Sequence, residues 1–130
     1  MTPIRILLVD DQPRVRSGLR MRLAIEPGLE VVGEAENGAQ ALSTAARLHP
    51  DVVVMDVEMP VMDGIAAAAR LTSAPDAPAV VILTLHDCPE VRERASAAGA
   101  SAFVAKHQID PALLDAIRAA ARGRRGQPHG

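Results

Sequence analysis

The chain has 130 residues, 48% of them hydrophobic and 23% charged, with a formal net charge of −2. That length predicts one domain with a single sizeable core, and the hydrophobic share excludes intrinsic disorder. The near-neutral balance excludes a dedicated nucleic-acid binder, which would carry a basic excess.

The elements follow in order. Ile4–Val9 predicts a first strand. A helix follows, with Pro13 in its first turn and an apolar stripe of Val15, Leu19 and Leu23. Glu30–Ala35 predicts the second strand, and Asn37 caps a second helix carrying Leu42, Ala45 and Ala46 on one face. Pro50 marks its exit. Val52–Met55 is the third strand, and Ile65, Ala68 and Leu71 stripe the third helix. Ala79–Leu83 is the fourth strand. Val91, Ala95 and Ala98 stripe the fourth helix, which Gly99 ends. Ala102–Ala105 is the fifth strand. Asp110 caps the last helix, with Pro111 in its first turn and Leu113, Leu114, Ile117 and Ala121 on its apolar face. The tail Gly123–Gly130 is expected to fray.

Near-continuous Val and Ile runs suit parallel strands buried on both faces. Strict β–α alternation predicts an α/β domain, a five-stranded parallel sheet doubly wound by five helices. The common order is 2-1-3-4-5, with the functional crevice at the carboxyl ends of the strands. The single cysteine, Cys88, allows no internal disulfide. No segment has signal-peptide form, and no apolar run reaches the ~20 residues of a membrane helix. A cytoplasmic protein is expected.

Polar residues collect at the strand exits. The first strand ends at Asp10-Asp11, the third at Asp56, the fourth at Thr84 and the fifth at Lys106. Singly, each has an ordinary reading: Asp11 as a helix cap, Thr84 as a β-former, Lys106 as a surface charge. Together they converge on one edge. Adjacent strands lie ~4.8 Å apart, so Asp11 and Asp56 would repel without a cation. Hard oxygen ligands in a small open site favour Mg²⁺. A carboxylate edge facing a lysine and a hydroxyl suits phosphoryl transfer, with an Asp as the nucleophile. Lys106 is the chain's one lysine among thirteen arginines, and Phe103, three residues earlier, is its one aromatic. Cys88 reads as structural. His49, His86, His107 and His129 have no metal-ligand spacing, and Arg124-Arg125 reads as a solvated linker.

The stretches Ile6–Asp11, Val54–Gly64, Ile82–Thr84 and Gly99–Lys106 resemble the receiver domain of bacterial two-component response regulators. The resemblance runs from residue 4 to about residue 122 and implies the flavodoxin-like receiver fold. It implies that Asp56 is the phosphoacceptor for a sensor histidine kinase. It implies Mg²⁺ held by Asp11 and Asp56, by Asp10 through its water shell, and by the backbone carbonyl of Glu58. Thr84 and Lys106 would contact the phosphoryl group, and Phe103 would be the switch aromatic. Glu58 and His86 would tune phosphate lifetime. The Lys106–Arg118 run, with His107 where many receivers have proline, is similar to NarL/LuxR-like regulators. That likeness implies residues 1–122 as the receiver and 123–130 as a linker to a helix-turn-helix domain absent from this chain. DNA would be bound only through that domain. A phosphorylation-dependent homodimer is expected, with no membrane partner. The chain would not be an enzyme beyond self-phosphorylation from a phosphodonor and slow autodephosphorylation. The alternative is a standalone receiver acting as a phosphate shuttle or docking switch. A haloacid-dehalogenase-type hydrolase needs Asp where Glu58 stands, and a flavodoxin-like cofactor binder needs a Gly-rich loop and stacking aromatics.

Overall fold

A computed structural model describes residues 2–59 and 61–125, with the side chains at 108–110 and 125 outside that description. Strands β1 (Ile4–Val9), β2 (Leu29–Ala35), β3 (Val52–Asp56), β4 (Ala79–Thr84) and β5 (Ala102–Ala105) alternate with helices α1 (Pro13–Ala24), α2 (Gly38–Leu48), α3 (Gly64–Thr72), α4 (Pro89–Ala97) and α5 (Ile109–Arg125). All neighbouring strands pair in parallel, in the order β2-β1-β3-β4-β5. β3 and β4 are buried at every position, as their unbroken apolar sequences require.

Alternate residues of each strand feed two cores. Ile6, Leu8, Val52, Val54, Val81 and Leu83 pack against Leu19 and Leu23 of α1 and Leu113 and Ile117 of α5. Leu7, Val9, Val53, Met55, Val80 and Ile82 pack against α2, α3 and α4. That second layer is rich in alanine, with Ala41, Ala45, Ala67, Ala68 and Ala95 all buried. Small side chains let the helices lie close to the sheet.

Several local expectations change. On α2 the buried positions are Gly38, Ala41 and Ala45, while Ala46 is exposed. A Cβ on Gly38 would stand 2.8 Å from the Met62 carbonyl oxygen, so the start of α2 packs closely against the loop before α3. Asp11 does not cap α1: Gln12 is the N-cap and makes no side-chain cap bond, and Asp10 Oδ1 accepts the Gln12 N–H instead, at 2.9 Å. At the other end, α5 continues through Arg125, past the expected onset of fraying at Gly123. Arg124 anchors this last turn, donating to the Ala77 carbonyl at 3.0 Å and pairing with Asp51 at 3.1 Å. The Asn37 cap holds, its side chain accepting from Gln40 N at 2.9 Å. α5 begins at Ile109, directly after a short 3-10 turn over Lys106–Gln108, so Asp110 lies inside its first turn and not at the expected cap position; the tail beyond Arg125 lies outside the described residues.

Candidate functional site

The carboxyl ends of β1, β3, β4 and β5 meet as expected. Asp10 is 1% exposed, Asp56 2% and Thr84 0%. Buried carboxylates are rare unless paired. The pairing cation is Lys106, which opens the short 3-10 turn after β5. Its Nζ lies 3.0 Å from Asp56 Oδ1 and 3.3 Å from Asp10 Oδ2. The only lysine of the chain thus bridges two strands that lie on either side of the switch point.

Asp10 is held by more than Lys106. Its backbone carbonyl accepts from Arg16 at 2.6 Å, and Arg16 pairs in turn with Glu34 on β2 at 3.0 Å. Asp56 is fixed from the other side. Val57 N donates to Leu83 O and Gly64 N donates to Val57 O, each at 3.1 Å, closing the loop after β3. Asp63 then caps α3, accepting from Ala66 N at 2.8 Å. A Cβ on Gly64 would collide with the carbonyl oxygen of Asp56. Gly64 stands in the motif, but spacing alone does not reveal its contact with the Asp56 backbone.

The electrostatics are unbalanced. Asp10, Asp11 and Asp56 each offer a carboxylate oxygen, all within 4.8 Å of one another. Three carboxyl groups face one ammonium. Burial pushes Asp56 up to about 7; the Lys106 ammonium pulls the other way, and the Asp10 charge adds to the rise. The Lys106 ammonium is itself strengthened: burial works against it, but its bond to Asp56 prevails. With all three carboxyls ionised, the excess over the ammonium would be two negative charges, that of one divalent cation, and the donors are all hard oxygens. No other group of three or more His, Cys, Asp or Glu among the described residues is arranged to hold a metal.

Thr84 reaches the site differently from the expectation. Its hydroxyl donates to Glu58 Oε1 at 2.9 Å and accepts from His86 N at 3.0 Å. Glu58 is partly buried, yet that hydrogen bond holds its carboxyl below the usual range. Its second oxygen, Oε2, is buried with no partner. His86 itself is exposed. Phe103 is half-buried on β5, beside Ile82, with the Arg92 guanidinium 4.8 Å above its ring. A two-point bond to Asp87, at 2.6 and 2.9 Å, orients Arg92. Sequence spacing alone does not single out this clamp. Its one visible signal is the Asp87–Arg92 pair flanking Pro89.

A concavity of about 710 Å³ lies elsewhere among the described residues, at the opposite end of the sheet between α3, α4 and α5. Ala, Ser, Thr and Gly dominate its lining, and its one charged residue, Arg124, is already bonded. It offers no group able to do chemistry, so the acidic crevice is the better candidate.

Fold and site together define a doubly wound domain with an acidic pocket and a bridging lysine at its switch-point crevice. Comparison with known proteins makes that class specific: residues 6–118 match the family of the response regulator receiver domain, and the chain belongs to that family. It is 42% identical over 120 residues to the uncharacterized transcriptional regulatory protein YxjL of Bacillus subtilis, covering 92% of this chain and 55% of that protein. It is 38% identical over 122 residues to the nitrate/nitrite response regulator protein NarP of Escherichia coli, covering 94% of this chain and 57% of that protein. The chain therefore spans just over half the length of these curated relatives. Among solved structures, a LuxR-family two-component response regulator from an Aurantimonas species superposes with a TM-score of 0.87 at 39% identity, covering 95% of this chain and 88% of that one. The receiver domain of NarL from Mycobacterium tuberculosis superposes with a TM-score of 0.84 at 31% identity, covering 98% of this chain and 100% of that one. These relatives bear out the NarL/LuxR-like resemblance. No described helix is long and apolar enough to cross a membrane.

Proposed function

We propose that this receiver is a phosphorylation switch of a two-component system, with Asp56 as the phosphoacceptor. The observation that carries this is the Lys106 ammonium, 3.0 Å from Asp56 and 3.3 Å from Asp10 within a cluster of three carboxylates. A carboxylate oxygen of Asp56 attacks the phosphorus of a kinase phosphohistidine. The P–N bond breaks, a P–O bond forms, and the imidazole, already carrying a proton on its other ring nitrogen, leaves as the neutral ring with the P–N electron pair. Lys106 neutralises charge on the transferred oxygens, and Thr84 hydrogen-bonds one of them.

The donor set fits Mg²⁺. Asp11 and Asp56 would hold it, Asp10 would act through its waters, and the Glu58 carbonyl would complete the protein ligands. Bound there, the ion would neutralise the acidic pocket and the phosphoryl charge. Glu58 and His86, each two residues after a site residue, would limit the water that later hydrolyses the acyl phosphate, which would make the chain a slow self-dephosphorylating switch rather than a turnover enzyme. Phe103 would change its burial when Thr84 moves. The relatives named as transcriptional regulators support a transcriptional output, through a DNA-binding domain and a linker beyond the end of α5 at Arg125. A sensor histidine kinase and a second phosphorylated copy would be its protein partners, in the cytoplasm.

Beryllofluoride, a phosphoryl mimic, tests this directly. With Mg²⁺ it should convert the wild-type chain to a dimer on size-exclusion chromatography. Lys106→Ala should still bind Mg²⁺, because the three carboxylates remain. Its beryllofluoride affinity should fall by roughly tenfold or more, the cost of losing one charged hydrogen bond. Wild-type affinity in that variant would reduce Lys106 to a surface charge.

A further inference from the structure

The Glu58 side chain holds Thr84, and nothing in the phosphoacceptor reading uses that bond. A hydroxyl has one hydrogen to donate. In this structure it goes to Glu58 Oε1 at 2.9 Å, while the nearest competing acceptor, the His86 carbonyl, lies at 3.3 Å. A phosphoryl group on Asp56 would need the same hydrogen.

We propose that Glu58 is a positioning residue, a latch that keeps the Thr84 hydroxyl turned away from Asp56 until phosphorylation outcompetes it. The proposal rests on the phosphoacceptor reading. The observations favour a latch that can open. Glu58 N sits 3.4 Å from Asp56 Oδ1, so the latch is built on the residue next but one to the acceptor. Its Oε2 is buried with no fixed donor, and the Glu58 carboxyl lies within hydrogen-bonding reach of the Asp56 carboxyl. Phosphorylation places further negative charge beside the Glu58 carboxylate and offers Thr84 a stronger acceptor. The hydroxyl then exchanges one anionic partner for another, with no covalent change at Thr84. His86 N–H, which donates to the same hydroxyl at 3.0 Å, carries the movement into the loop before α4.

Two measurements test this. Methyl NMR of the phosphate-free chain reads the Thr84 rotamer. It should be single in wild type and in Glu58→Gln, whose amide oxygen still accepts, and averaged in Glu58→Ala. An unaveraged rotamer in Glu58→Ala overturns the latch. The second is beryllofluoride titration with Mg²⁺. Glu58→Ala should bind roughly tenfold tighter than wild type, the worth of one hydrogen bond to a charged group. In a Thr84→Val background the same substitution should tighten binding several-fold less, because the bond it would release is already gone and only the charge effect is left. Equal tightening in both backgrounds would mean that Glu58 acts only by charge, and overturns the proposal. A wild-type chain that takes up no beryllofluoride overturns the phosphoacceptor reading instead, and the NMR result still decides whether the resting latch exists.

Discussion

Gly64→Ala is expected to destabilise the domain by about 3 kcal/mol or more, because its Cβ has no room and backbone must move to make it. The colliding atom is the carbonyl oxygen of Asp56, and the carbonyl carbon lies 2.8 Å from the same point. The displaced group therefore belongs to the acceptor residue itself. Relief requires the end of β3 to shift, or α3 to lose the turn closed by Gly64 N and Val57 O at 3.1 Å. Either way the Asp56 side chain leaves the position 3.0 Å from Lys106. Gly18 is the matched control: it lies within α1, and a Cβ there would meet nothing within 4 Å. Gly18→Ala should stabilise by about 0.5–1 kcal/mol through helix propensity. Urea denaturation of both variants checks the pair, and the two shifts should have opposite signs.

Asp56→Asn is expected to stabilise the metal-free domain at pH 8, by about 1–3 kcal/mol. The Asp56 carboxyl is pushed from 3.8 up to about 7, first by burial, with Lys106 opposing and Asp10 adding to the rise. The folded state therefore holds this proton more tightly than the unfolded chain. That contribution is complete below about pH 4 and is lost as pH rises through about 7. Above that pH the wild type carries a buried carboxylate beside Asp10, and Asn removes it. The gain from Asp56→Asn should shrink steadily as the pH falls from about 8 to about 5. Mg²⁺ should act in the reverse direction on the wild type, raising its melting temperature more at about pH 8 than at about pH 5.5. Thermal melts of the two proteins at both pH values, with and without Mg²⁺, give all the comparisons.

Much of this site is legible in the sequence because parallel strands leave few choices. Unbroken runs such as Val52–Met55 and Val80–Leu83 are buried on both faces, so the first polar residue after each run marks the sheet edge. Asp56 and Thr84 follow directly, and Asp10 and Lys106 complete the set. What the pattern does not show is where those polar groups find partners. The Glu58–Thr84 bond joins residues 26 apart in sequence, and Arg92 reaches Phe103 across the gap between α4 and β5. Side-chain rotamers decide both. Gly38 of α2 meets Met62, a contact between distant segments that helical periodicity does not contain. Val61, in the loop before α3, adopts φ 72° despite its β-branch, a conformation no propensity favours. The end of α5 is likewise fixed by the bonds of Arg124 to Asp51 and Ala77, not by local sequence.

Every step of the switch depends on Asp56 as the phosphoacceptor. Intact mass spectrometry after incubation with acetyl phosphate and Mg²⁺ tests it most directly. Wild type should gain a single phosphoryl group that hydroxylamine removes, as it does from an acyl phosphate, and Asp56→Asn should gain none. Unchanged labelling of Asp56→Asn would contradict the account.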